Sequence, residues 1–152
     1  MNSRAPLAMI GLVLAFAFLA PTTAPAADDD VVTEMSASRI ERIVNSFREV
    51  RNFEELDNNL YVFEVDGTKI FLHNSGNTLE VATIFTGKRV TLSRLNEWNL
   101  KMKFTKAYLD KNNNIHLQHS IQLTGGVTEK NVKEWLKTYT LMIKLFKIHI
   151  ED

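Results

Sequence analysis

The chain has 152 residues, no cysteine, and 18 basic against 18 acidic side chains. This length supports one domain with a substantial core, and the lack of cysteine excludes disulfides, thiolate metal sites and thiol nucleophiles. A formal net charge of zero argues against electrostatic binding to nucleic acid, which requires clustered Lys and Arg.

The first residues have the order of a secretory signal peptide. Arg4 supplies a positive charge, residues 5–20 are apolar apart from Pro6 and Gly11, and small residues occupy 24–27. The apolar block is shorter than the roughly 20 residues that span a hydrocarbon core. We therefore predict a signal peptide over 1–26 and a periplasmic location in a Gram-negative bacterium. The alternative is an uncleaved membrane anchor.

Residues 27–35 are predicted to be a flexible acidic start of the mature chain, because the three adjacent carboxylates at 28–30 typically form a solvated tail. Residues 36–152 are predicted to form one domain. Ser36 and Ser38 are suitable N-caps for a first helix, and the apolar residues after them have the spacing of one helix face. These residues are Ile40, Ile43, Val44, Phe47 and Val50.

Three strands are predicted next, over 60–65, 68–73 and 79–85. Asp66-Gly67 favours a type I′ hairpin turn between the first two, because glycine adopts positive φ at little cost. Gly76 marks the second turn. Strands joined by such short turns pair antiparallel.

The second half repeats this mixture of elements. A helix is predicted after Thr91, and two strands over 105–110 and 115–124 flank a polar turn. The second of these strands alternates apolar and polar residues, which indicates a sheet covered on one face. Thr128 caps a long final helix. The predicted fold is α+β, an antiparallel β-sheet with helices packed on one face in the order α-β-β-β-α-β-β-α.

No pattern in the sequence predicts catalysis. His116 and His119 are three residues apart on a strand, so they point to opposite faces and do not chelate one metal ion. Gly-x-Ser-x-Gly and His-Glu-x-x-His motifs are absent. We therefore predict no catalytic residue, no metal and no cofactor. Gly125-Gly126 is interpreted as a tight turn rather than as an anion site at a helix N-terminus.

A polar cluster on the second helix is the first candidate binding feature. Trp98 lies on the apolar stripe of this helix, flanked by Asn96 and Asn99. The cluster is either a ligand site or a structural brace in which the amides bond to a neighbouring strand or loop.

The second candidate is a surface on the final helix. Leu141, Leu145 and Ile148 lie opposite its main apolar stripe, with lysines beside them. A helix that is apolar on two faces is either enclosed in a core or contacts a partner. The predicted partner is a second copy or another protein, and a membrane surface is the weaker alternative.

Two segments carry a family resemblance. The first is Leu-Ser-Arg-Leu-Asn-Glu-Trp-Asn at 92–99 with Phe104 and Ala-Tyr-Leu-Asp at 107–110, and the second is Gly-Gly-Val-Thr at 125–128 with Asn131 and Trp135. Over residues 36–152 the chain resembles the YbjN family of bacterial proteins, described as sensory transduction regulators. The resemblance implies a fold like that of type III secretion chaperones. It implies no enzymatic activity, cofactor or catalytic residue.

The sequence thus predicts an exported, non-catalytic domain that binds a protein partner in a chaperone-like or sensory role, with a homodimer as one assembly. No nucleic-acid partner and no integral membrane span after signal cleavage are expected. The alternative function is a periplasmic small-ligand sensor.

Overall fold

The computed structural model describes residues 30–57 and 59–151. The predicted signal peptide over 1–26 lies outside these residues. The helices are α1 Ala37–Asn45, α2 Leu92–Lys101 and α3 Glu129–Glu151. The strands are β1 Val31–Val32, β2 Val50–Asp57, β3 Leu60–Val65, β4 Thr68–Asn74, β5 Thr78–Phe85, β6 Lys106–Leu109, β7 Ile115–Gln122 and β8 Val127–Thr128.

Six of these strands form one antiparallel sheet in the order β2-β3-β4-β5-β7-β6, and β1 pairs with β8 in a second, two-stranded sheet. The α+β class predicted from the sequence is confirmed. Alternate side chains of β3, β4, β5 and β7 are buried on one face of the large sheet, where the helices pack.

The predicted hairpin turn between β3 and β4 is confirmed. Asp66 and Gly67 both have positive φ, 49° and 71°, as a type I′ turn requires. The turn sets the register of the hairpin, in which Tyr61 opposes Leu72 and Phe63 opposes Ile70. All four of these side chains are buried, so this register places the apolar positions of both strands in the core.

The first helix is shorter than the sequence predicts. It ends at Asn45, and Val50 begins β2, a strand that the sequence analysis missed. β2 pairs with β3 at the edge of the sheet and is irregular, with register shifts and a positive φ at Asn52. These bulges remove the two-residue alternation that identifies a strand. Phe53 stacks on Tyr61 at a centroid distance of 5.8 Å and ties the edge to the core.

The range 27–35, predicted to be flexible, contains ordered contacts in its described part. Val31 and Val32 form β1 against β8, and Val32 and Met35 are buried. A Cβ atom on Gly126 would lie 2.4 Å from the Val31 side chain, so the glycine permits this close approach. Gly125 and Gly126 both have positive φ, as the predicted tight turn requires.

A buried carboxylate joins α1 to the start of α3. The Glu129 side chain is 1% exposed and accepts a hydrogen bond from the Arg42 guanidinium, while Arg39 Nε lies 3.6 Å from the same carboxylate oxygen. Arg42 itself is half-exposed. The arrangement keeps the carboxylate paired although it is removed from water.

We expect the substitution Arg42→Met to lower the free energy of unfolding by about 2 kcal/mol, because it leaves the buried Glu129 carboxylate with only the more distant Arg39. Urea unfolding measures this change. The matched control is Lys101→Met, which breaks an exposed ion pair with Glu97 and should leave the urea midpoint unchanged. Equal midpoints for Arg42→Met and the parent chain would contradict the role given to the ion pair.

Candidate functional site

Trp98 of the polar cluster lies in the core. Its side chain is 1% exposed, and its ring meets Phe146 of α3 edge-on at a centroid distance of 4.9 Å. The indole N–H donates to Thr105 Oγ1 at 3.0 Å, so the one polar atom of the ring is satisfied internally. The ring is therefore enclosed between α3 and the segment before β6, and it is not an open surface on which a ligand can stack.

Asn99 joins α2 to β6. Its side-chain N–H donates to the Ala107 carbonyl at 2.9 Å, and the Ala107 N–H donates to Asn99 Oδ1 at 2.8 Å. The amide thus bonds to Ala107 as a neighbouring strand would, on the side of β6 that faces away from β7. Asn96, on the same helix, is exposed to solvent. The structure therefore does not bring the two asparagines together with Trp98 around a common ligand site.

Leu141, Leu145 and Ile148 form an exposed row on α3, which we call the α3 row. Their exposed fractions are 53%, 37% and 59%. The opposite side of the helix packs in the core through a second set of residues. These are Val132, Trp135, Leu136, Tyr139, Met142, Ile143 and Phe146. Large aliphatic side chains at successive turns of a rigid helix are a feature of association surfaces.

Two of the lysines beside the α3 row are in ion pairs. Lys144 Nζ lies 2.9 Å from Asp66 Oδ2, and Lys137 Nζ lies 2.6 Å from Glu134 Oε1. The hydrogen bond and charge of Lys144 lower the pKa of Asp66. Lys147, also beside the row, donates to the neutral Thr68 hydroxyl and keeps its positive charge.

A cavity of about 250 Å³ opens between α3 and the connection from α1 to β2. Its floor is apolar, and four polar or charged residues stand among its lining. The apolar residues are Phe47, Val50, Phe63, Val65 and Leu136, and the polar ones are Glu49, Lys137, Thr140 and Lys144. An apolar pocket with a few polar groups is the general form of a small-molecule site. The sequence analysis missed it because its residues come from β2, β3, α3 and the connection between α1 and β2.

The two histidines of β7 lie on opposite faces of the sheet, as the sequence predicts. His116 stacks on Tyr108 and lies 3.3 Å from Asp110 Oδ2, and His119 packs against Trp135 on the helix side. Burial lowers the pKa of His119. Hydrogen bonds from Asn114 hold the pKa of Asp110 down at about 2. Across 30–57 and 59–151, no three His, Asp or Glu side chains are grouped as metal ligands would be.

Within the part of the chain that the structure describes, no helix has both the length and the apolar character needed to cross a membrane.

Comparison with models of protein families gives a match for the second half of the chain. A family model described as "Putative bacterial sensory transduction regulator" matches residues 74–151, from the last residue of β4 to the end of α3. The chain belongs to the YbjN family. The matched region contains α2, Asn99 with its β6 partner, and the α3 row. A comparison with curated proteins found no match.

We expect Asn99→Ala to lower the free energy of unfolding by about 1–2 kcal/mol, because two hydrogen bonds to Ala107 are lost. Asn96→Ala is the matched control, since it makes the same substitution on the same helix at an exposed position, where alanine is the better helix former. Urea unfolding compares the two variants. Equal stabilities would show that the amide of Asn99 does not brace β6.

Proposed function

We propose that the chain is an exported, non-catalytic domain that acts in regulation by binding protein, and that the α3 row is its association surface for a second copy of the chain. The family description as a sensory transduction regulator supports the regulatory class. The assignment of the association surface rests on the exposed row of Leu141, Leu145 and Ile148. Export is supported by the order of charged, apolar and small residues in 1–26.

The chemistry of the row favours a second copy as its occupant. A two-fold interface brings the same patch of both subunits together, so any uncompensated charge would be repeated across it. Lys137 and Lys144 are paired with Glu134 and Asp66, which lowers the repulsion between two copies and leaves Lys147, bonded to the neutral Thr68 hydroxyl, as the flanking charge that the interface must place at its rim. The same pairing weakens the case for an anionic lipid surface, which requires free basic side chains.

The size of the row indicates a weak dimer unless adjacent surface also takes part. Covering three partly exposed aliphatic side chains contributes roughly 1–2 kcal/mol each, and association has its own entropic cost. We therefore place the row at the centre of the interface, with the ion-paired side chains of α3 at its rim.

A small-ligand sensor is the second candidate function, because the cavity beside α3 has an apolar floor and polar groups among its lining. A ligand held there would contact Val50 of β2 and Leu136 of α3 together. Such a ligand would link occupancy of the cavity to the position of the helix that carries the α3 row.

Sedimentation equilibrium tests the dimer. We expect self-association of the mature domain at high concentration, and Leu145→Asp should weaken it at least about tenfold, because a charge is placed in the apolar contact. Leu56→Asp, at an exposed leucine of β2, is the control and should leave association unchanged. If the parent domain and Leu145→Asp are both monomeric at all concentrations, the proposal that the α3 row binds a second copy is wrong.

A thermal-shift screen of metabolites tests the sensor. One compound class should raise the melting temperature, because a ligand that binds only the folded state stabilises it. Thr140→Phe fills the cavity and should abolish the shift, whereas Thr138→Phe, outside the cavity lining, should retain it. A shift that persists in Thr140→Phe would place the ligand elsewhere.

A further inference from the structure

β7 is only half covered on one side. Its partner β5 pairs with it along its full length, from Phe85 opposite Ile115 to Thr78 opposite Gln122. On the other side, β6 pairs only from Leu109 opposite Ile115 to Lys106 opposite Gln118. From His119 to Gln122, therefore, β7 has an open edge where β6 would continue if it were longer.

The hydrogen bonds identify which backbone groups face this open edge. The N–H and C=O groups of Ala107 both bond to the side chain of Asn99, so they point away from β7. Ala107 and Leu117, which lie opposite each other, are therefore a non-hydrogen-bonded pair of the antiparallel ladder. The N–H of Leu123 donates to the Asn77 carbonyl, on the β5 side. Odd-numbered residues of β7 thus bond toward β5. By alternation, Ser120 and Gln122 direct their N–H and C=O groups toward the open edge.

The surroundings of the edge offer an apolar contact. A cavity of about 410 Å³ lies between the edge and the segment that leads into β6, and its lining includes Phe104, His119 and Ser120. Phe104 is 57% exposed and meets the His119 ring edge-on at a centroid distance of 6.4 Å. Ser120 and Gln122 are exposed as well. Backbone donors and acceptors and an aromatic ring are therefore accessible together.

The charged side chains that line this cavity are both basic. Lys103 and Lys106 line the cavity, both are exposed, and the lining contains no carboxylate. Neither lysine forms an ion pair within the described ranges, in contrast to Lys101, Lys137 and Lys144. A ligand at this edge thus meets two unpaired ammonium groups.

We propose that the open edge of β7 binds an extended, acidic peptide segment of a partner protein by strand addition. The peptide backbone pairs with Ser120 and Gln122, an apolar side chain packs on Phe104, and carboxylates lie near Lys103 and Lys106. Strand addition draws affinity from backbone bonds and selectivity from alternate side chains, and an uncovered edge is a template for it. The site does not include the α3 row, so it can fail or succeed independently of the dimer.

The probe is a fluorescein-labelled nine-residue peptide that alternates glutamate and valine. The control is a labelled peptide of the same length that alternates lysine and valine. Fluorescence anisotropy should show binding of the glutamate peptide, weakening with salt, and no comparable binding of the lysine peptide. Equal affinity for both peptides would overturn the proposal, because it would show that Lys103 and Lys106 make no selection.

Two pairs of variants locate the site. The double substitution Lys103→Glu, Lys106→Glu should weaken binding at least about tenfold, whereas Lys69→Glu, Lys111→Glu makes the same change in net charge elsewhere and should have little effect. Ser120→Pro removes the N–H on the open edge without removing a bond to β5 and should weaken binding several-fold, whereas Ser120→Thr retains the N–H and the affinity. Thermal melts establish that each variant is folded.

Amide hydrogen exchange gives a readout that charge attraction alone does not produce. Bound peptide should slow exchange at Ser120 and Gln122, because their N–H groups become donors to the added strand. Binding without slower exchange at these two amides would contradict strand addition. Leu56→Asp, at an exposed leucine of β2 far from this edge in the sheet order, should retain both the affinity and the protection.

Discussion

The contact of α3 with the centre of the sheet is the constraint on which the other features depend. Tyr139 is fully buried, and its hydroxyl donates to the Leu117 carbonyl of β7 at 2.6 Å and lies 3.1 Å from Thr83 Oγ1 of β5. Burial raises the pKa of this phenol, so the donor stays protonated. One side chain thus joins the helix to two neighbouring strands, at the middle of the buried face.

The ends of α3 are held by separate contacts. Glu129 at its start pairs with arginines of α1, and near its end the His149 carbonyl accepts a hydrogen bond from Arg94 of α2 at 2.8 Å. The helix therefore has polar contacts with other elements at its start, its middle and its end. The α3 row is therefore presented in a fixed orientation, which lowers the entropic cost of association.

The sequence predicts those elements whose patterns are local. The Asp66-Gly67 turn is one example, because the positive φ values that it needs favour this residue pair. The alternation of β7 is another, because a sheet that is covered on one face has apolar residues at every second position. β1 and β2 carry weaker signals. β1 is two residues long and exists through its pairing with β8, and β2 is an edge strand with bulges that break its alternation.

The candidate sites show the same division. The spacing of Leu141, Leu145 and Ile148 reveals a shared helix face, and the structure places that face on the surface. The role of Asn99 depends on β6 passing beside α2, and the cavity and the open edge of β7 depend on segments that are distant in sequence. Contacts of this kind follow from packing between elements, and no single segment encodes them.

The close approach of Gly126 and Val31 has a geometric consequence. It anchors residue 31 beside β8, immediately before α3 begins. With 23 residues, α3 is about 34 Å long at 1.5 Å per residue. Val31 therefore lies beside the start of α3, whereas Ile148 lies close to the other end of the helix. If the protein were immobilised through the residues before Val31, the far end of α3 with the exposed Ile148 would stay accessible to a second molecule.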